Sequence, residues 1–170
     1  MTRSSAIDLF IHPGEYEFAD ENFCLRTTLG SCVAIVLWHP QRRLGGMCHY
    51  MLPGRTRRAG QALDGKYANE ALELMIAEAR KRGTRAEQYE VKLFGGGDMF
   101  PAQGKQLPSV AGRNINAVRA LIEAHGLHIK SESLGGAGYR NVIFDIASGD
   151  VWVRHVRGGT PAARSRSESQ

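Results

Sequence analysis

The longest uninterrupted apolar run in the chain, Cys32 to Trp38, sets the first limit on what this sequence can fold into. Its segment Val33 to Trp38 reads Val-Ala-Ile-Val-Leu-Trp and ends at His39-Pro40. The run is far too short to span a bilayer, and a strand apolar at every position is a buried one. After a short basic turn, Leu44 to Leu52 reads as its partner in a hairpin. Burying such a strand needs covering layers, and 170 residues allow one domain with a real core.

The covering layers are legible further along. Between Gly65 and Gly83 the pattern turns helical: Ala68, Leu72, Met75 and Ala79 recur on one face, while Glu70, Glu73 and Glu78 lie elsewhere. Ser109 can cap a second helix running through His125, with Ile115, Val118, Leu121 and Ile122 as its stripe and Gly126 as its stop. Tyr89 to Phe94, Leu127 to Ser133 and Asn141 to Ala147 read as strands, and Ser148-Gly149-Asp150 turns the chain into Val151 to Val156. Clustered glycines (Gly45-Gly46, Gly95-Gly96-Gly97, Gly135-Gly136) suggest short strands with tight or bulged connections. Two helices and roughly seven strands give an α+β domain with helices on sheet faces. The domain is expected over residues 1–157, with a flexible basic tail over 158–170 that carries Arg164 and Arg166. Arg3 is followed by Asp8, His12 and Pro13 rather than an apolar stretch, so the expected location is cytoplasmic.

The net charge of +5 favours acidic partners. Nucleic acid is disfavoured, because the basic residues come without a recognition helix, zinc finger or interleaved aromatics. Part of the excess sits in the loop Gly54-Arg55-Thr56-Arg57-Arg58, which reads either as a solvated loop or as a steering surface.

Three cysteines, Cys24, Cys32 and Cys48, are an odd count without framework spacing, and in a reducing compartment they are free thiols. Cys32 follows Leu29-Gly30-Ser31 at the mouth of the buried strand, where backbone can approach a substrate and turn N–H groups can hold an oxyanion. If the strand carrying Gly46-Met47-Cys48-His49 pairs with it, His49 can come beside Cys32, the contact by which imidazole draws the thiol proton and holds a thiolate. On the residues alone, the commoner role of such a cysteine, a small core hydrophobe, stands ahead. Cys48 points to the opposite strand face from His49, which also argues against a joint metal site, and Cys24 reads as structural. Neither glycine cluster has the ending of a phosphate loop or opens a helix as a dinucleotide site does. Trp38 and Trp152 read as core or sheet-face residues.

Thr27-Thr28-Leu29-Gly30-Ser31-Cys32-Val33-Ala34, followed by Gly46-Met47-Cys48-His49-Tyr50-Met51-Leu52-Pro53, resembles the signature of the CheD family of chemoreceptor glutamine deamidases. The likeness continues through Lys66-Tyr67-Ala68, Gly95-Gly96-Gly97 with Met99-Phe100, Gly112-Arg113-Asn114, Gly135-Gly136 with Arg140, and the closing hairpin. Ala111 departs from the pattern, standing where a glycine is expected. The resemblance implies Cys32 as nucleophile, His49 as base and a nearby threonine as third member, Thr27 being favoured and Thr28 the alternative. It implies an α/β/β/α layered sandwich of mixed sheets flanked by two main helices. The implied activity is hydrolysis of glutamine side chains on methyl-accepting chemotaxis receptors through a thioester, with no metal or organic cofactor. A CheC-type phosphatase is a further implied partner, a non-catalytic regulator of receptors or of that phosphatase is the alternative role, and the chain is expected to be a monomer that is not membrane-inserted.

Overall fold

The computed structural model describes residues 5–99 and 109–158. The expected tail therefore lies outside the described residues, apart from Gly158. The elements are β1 (Ile7–Phe10), β2 (Tyr16–Asp20), β3 (Phe23–Leu29), β4 (Val33–His39), β5 (Leu44–Cys48), α1 (Ala68–Lys81), β6 (Glu90–Gly95), α2 (Val110–Ala124), β7 (Ile129–Leu134), β8 (Tyr139–Asp145) and β9 (Val151–Val156). The strands form two mixed sheets, one of order β1-β3-β8-β9 and one of order β2-β5-β4-β6-β7. In each sheet one pair is parallel, β1 with β3 and β6 with β7, and the rest are antiparallel.

The apolar run becomes β4, at the centre of the five-stranded sheet, and alternation sends its residues into two cores. Val33, Ile35 and Leu37 face the helices, packing with Leu72, Met75 and Ala79 of α1 and with Val118 and Ile122 of α2. Ala34 and Val36 face the other sheet, where they meet Leu25, Leu29, Val142 and Phe144. The described layers thus run helices, five-stranded sheet, four-stranded sheet, an α+β layered sandwich in which both helices cover the outer face of the larger sheet. Helix α2 starts where its sequence predicts: the Ser109 hydroxyl accepts the Gly112 N–H at 3.1 Å.

Two findings differ from expectation. Among the described residues nine strands form, because the first thirty residues contribute three with polar or charged residues interleaved. Glu70, placed off the apolar stripe of α1 by spacing, is fully buried. Its carboxylate takes a fork from Arg55, Nε at 2.7 Å and Nη2 at 3.0 Å, together with the Asp64 N–H at 2.8 Å. The guanidinium holds that carboxyl below the usual range. Arg55 therefore anchors its loop to α1, and only Arg57 and Arg58 remain for solvent.

The two sheets touch where a glycine permits it. A Cβ on Gly45 would stand 2.8 Å from both the Leu37 carbonyl oxygen and the Phe144 ring. Gly45→Ala is expected to cost roughly 1–3 kcal/mol by overpacking, read as a lower urea midpoint at unchanged slope. An unchanged midpoint would mean the sheets do not approach this closely.

Candidate active site

Strand β3 belongs to one sheet and β4 to the other, so Gly30-Ser31-Cys32 is the short link that crosses between them. The link is pinned by the triple glycine. Gly96 N–H donates to the Cys32 carbonyl and Gly97 N–H to the Gly30 carbonyl, both at 2.8 Å. Gly95 has φ +113°, and a Cβ there would sit 2.3 Å from the Cys32 carbonyl oxygen, so backbone contact excludes any side chain. Behind it, the buried Arg140 guanidinium donates to the Gly95 carbonyl at 3.2 Å and to the Gly135 carbonyl at 2.6 Å. Sequence reasoning met Arg140 only as part of a motif, since a buried guanidinium has no periodic signature.

His49 lies just past β5. Its N–H donates to the Glu15 carbonyl at 3.0 Å and its carbonyl accepts from Gly14 N–H at 2.8 Å. The neighbouring pair Val33–Tyr50 is an antiparallel bridge. That register puts Ala34 opposite His49 and makes Cys32 and His49 diagonal neighbours on one sheet face. Diagonal neighbours lie roughly 7–8 Å apart, within reach of long side chains. The shared face is the one between the sheets: Cys32 packs against the inter-sheet core, while Cys48 is buried under the helices.

The opposite sheet supplies Thr27. Its hydroxyl is 2.8 Å from Nδ1 of His49 and donates to the Ile11 carbonyl at 2.7 Å. A hydroxyl carries one hydrogen, and a carbonyl can only accept it. The hydrogen between Thr27 and His49 therefore sits on Nδ1, which leaves Nε2 of the neutral ring bare, the form a base needs. Thr28 points to the other face of β3 and donates to the Asn141 side chain at 2.8 Å.

The structure thus joins Thr27 to His49 and sets Cys32 on the same face. Among the described residues, however, no hydrogen bond joins the Cys32 sulfur to the ring. Burial pushes the His49 imidazole down to about 4, with the Ile11 carbonyl opposing and His12 adding to the effect. Burial also pushes the half-buried Cys32 thiol up. Both shifts favour the uncharged thiol and the uncharged ring in place of a thiolate–imidazolium pair. Cys48 is fully buried, its thiol pushed up to about 12, and Cys24 is buried with its sulfur donating to Asp145 at 3.6 Å. Among the described residues no group of three or more His, Cys, Asp or Glu stands together as a metal site.

A family model described as CheD chemotactic sensory transduction matches residues 51–155, a span that begins just past His49. The chain is similar to the probable chemoreceptor glutamine deamidase CheD of Pseudomonas fluorescens strain SBW25, with 53% identity over 87% of this chain and 84% of that protein. Proteins of the same name from Pseudomonas savastanoi pv. phaseolicola and Pseudomonas syringae pv. syringae are 53% and 52% identical, each over 87% of this chain and 84% of the relative.

The buried imidazole has a thermodynamic consequence. An unfolded histidine titrates near 6.5, whereas His49 in the fold titrates at about 4. Between those values the unfolded chain binds the extra proton, so stability falls as pH drops through that window. The stability difference between the native chain and His49→Gln should shrink by roughly 2–3 kcal/mol from pH 7 to pH 4.5 in urea denaturation, other titrating groups cancelling. A pH-independent difference would show that His49 is not held neutral by burial.

Proposed function

The chain belongs to the CheD family, and on that footing we propose that it hydrolyses glutamine side-chain amides on chemotaxis receptors, with Cys32 as nucleophile, His49 as base and Thr27 as the residue that orients the base. The observation that carries the reading is the Thr27–His49 hydrogen bond, which leaves Nε2 bare on the face occupied by Cys32. The relatives are named for chemoreceptor glutamine, and the same substrate class is taken here.

In the proposed reaction the Cys32 sulfur attacks the amide carbon while Nε2 of His49 takes the thiol proton. With an imidazole this weakly basic, proton transfer accompanies attack and does not precede it. Backbone N–H groups of the Gly30–Cys32 turn steady the oxyanion. The imidazolium returns the proton to the departing nitrogen, ammonia leaves, and a thioester remains. Water then attacks that carbonyl, its proton passing through His49 to sulfur, and glutamate is released.

The working unit is taken as one domain over residues 1–157, monomeric and cytoplasmic; among the described residues no helix is long and apolar enough to cross a membrane. Its net charge of +5 and the exposed Arg57 and Arg58 suit an acidic receptor surface. A CheC-type phosphatase, implied by the resemblance, completes the proposed set of partners.

The test is a receptor cytoplasmic fragment incubated with the protein, followed by ammonia release and the Gln-to-Glu mass shift. Cys32→Ala should lower the rate about 10³-fold or more. Thr27→Ser should keep most activity, and Thr27→Val should lower kcat about 10–100-fold through a misaligned base. Conversion at the native rate by Cys32→Ala would remove the proposal.

A further inference from the structure

The antiparallel ladder between β4 and β5 does not continue past the candidate site. Its last rung is Val33–Tyr50, with Val33 N–H donating to the Tyr50 carbonyl at 3.2 Å and Tyr50 N–H to the Val33 carbonyl at 3.0 Å. Beyond it the strands part, because Met51 and Leu52 both turn their N–H groups to the Lys66 carbonyl, at 2.8 Å and 3.1 Å. The carbonyls of Ser31 and Met51 are left without a backbone donor from the opposing strand. Carbonyls shielded from water in that position need a donor from elsewhere, and these two are part-buried.

Asn114, in the second turn of α2, supplies it. The residue is fully buried, and its Nδ2 donates to the Ser31 carbonyl at 3.1 Å and to the Met51 carbonyl at 3.0 Å. One amide nitrogen, with two hydrogens on a short arm, spans the gap that the ladder leaves. The Tyr50 hydroxyl closes the ring by donating to the Asn114 main-chain carbonyl. The side-chain oxygen of Asn114 is buried and has no partner among the described residues. The position is therefore occupied for its nitrogen, and an unpartnered acceptor is tolerated in return.

We propose that Asn114 is a positioning residue for the deamidation, its amide nitrogen tying the nucleophile turn to the base strand so that Cys32 and His49 keep their diagonal register. The inference rests on the function proposed above. Ser31 directly precedes Cys32, and Met51 lies two residues past His49, so both carbonyls move with the reacting groups. Nothing else in the described structure bonds to both segments from the helical layer. Aspartate would set a carboxylate against two carbonyls, serine brings a single donor, and alanine brings none.

The experiment measures receptor deamidation and the pH-dependent alkylation of Cys32 by iodoacetamide, Cys24 and Cys48 being buried. Asn114→Ala should lower kcat about 10–100-fold, leave KM within about 2-fold, and slow alkylation at pH 6–7 to the rate of His49→Gln. Asn114→Ser should fall between, and it serves in place of Asn114→Ala if that variant does not fold. Val118→Ala, which opens a cavity under the same helix, should lower stability and leave kcat and alkylation near native values. Native kcat and alkylation in folded Asn114→Ala, or equal losses in Val118→Ala, would overturn the proposal. Alkylation reads the Cys32–His49 alignment without receptor, so an inactive native protein would sink the proposed function and still leave Asn114 tested.

Discussion

The two hydrogen bonds between Val33 and Tyr50 set which side chains face each other at the site. Side chains alternate along both strands, so this one rung sends Val33 and Tyr50 under the helices and turns Cys32 and His49 toward the opposite sheet, where Thr27 waits. A slip of one residue would bury His49 against α1 and α2 and put Cys48 in its place. The core resists that slip because Tyr50 is fully buried among apolar residues and its hydroxyl has a partner in α2. The register of a buried ladder thus fixes which side chains share that face.

Much of this frame is written locally. The apolar run of β4 and the capped, striped helices rest on short-range patterns, and Ser109 and Gly83 stand where the helix boundaries form. The opposite orientations of Cys48 and His49 follow from alternation alone. Strands β1 to β3 were not legible, because segments such as Tyr16–Asp20 are short and interrupted by charge, and long-range pairing, of β2 with β5 and of β3 with β8, makes them strands. Asn114 was equally silent. It lies beside the apolar stripe of α2, and its value depends on a carbonyl gap created by segments far away in sequence.

Charge shows the same division between local and long-range information. Arg55, Arg57 and Arg58 look equivalent in sequence, yet the fold withdraws Arg55 to satisfy the buried Glu70 carboxylate. An uncompensated carboxylate in that layer would be far costlier than the ordering of one arginine loop. The pairing also ties the segment after Leu52 to α1, so the chain leaving His49 is held at both ends. A basic stretch that reads as a surface device is thus partly a structural strut.

The same burial that orders Cys32 and His49 favours their uncharged forms. A thiolate is the form that reacts with oxidants and with adventitious electrophiles. A lowered imidazole and a raised thiol both favour the protonated sulfur. In the proposed reaction the proton moves as attack makes sulfur acidic. For such a pair, alignment matters more than for a preformed ion pair, because no standing attraction draws the two groups together. That places the demand for precision on the surrounding frame: on the triple glycine pressed against the Cys32 carbonyl, on Thr27 fixing the ring tautomer, and on the Asn114 side-chain amide that bridges Ser31 and Met51.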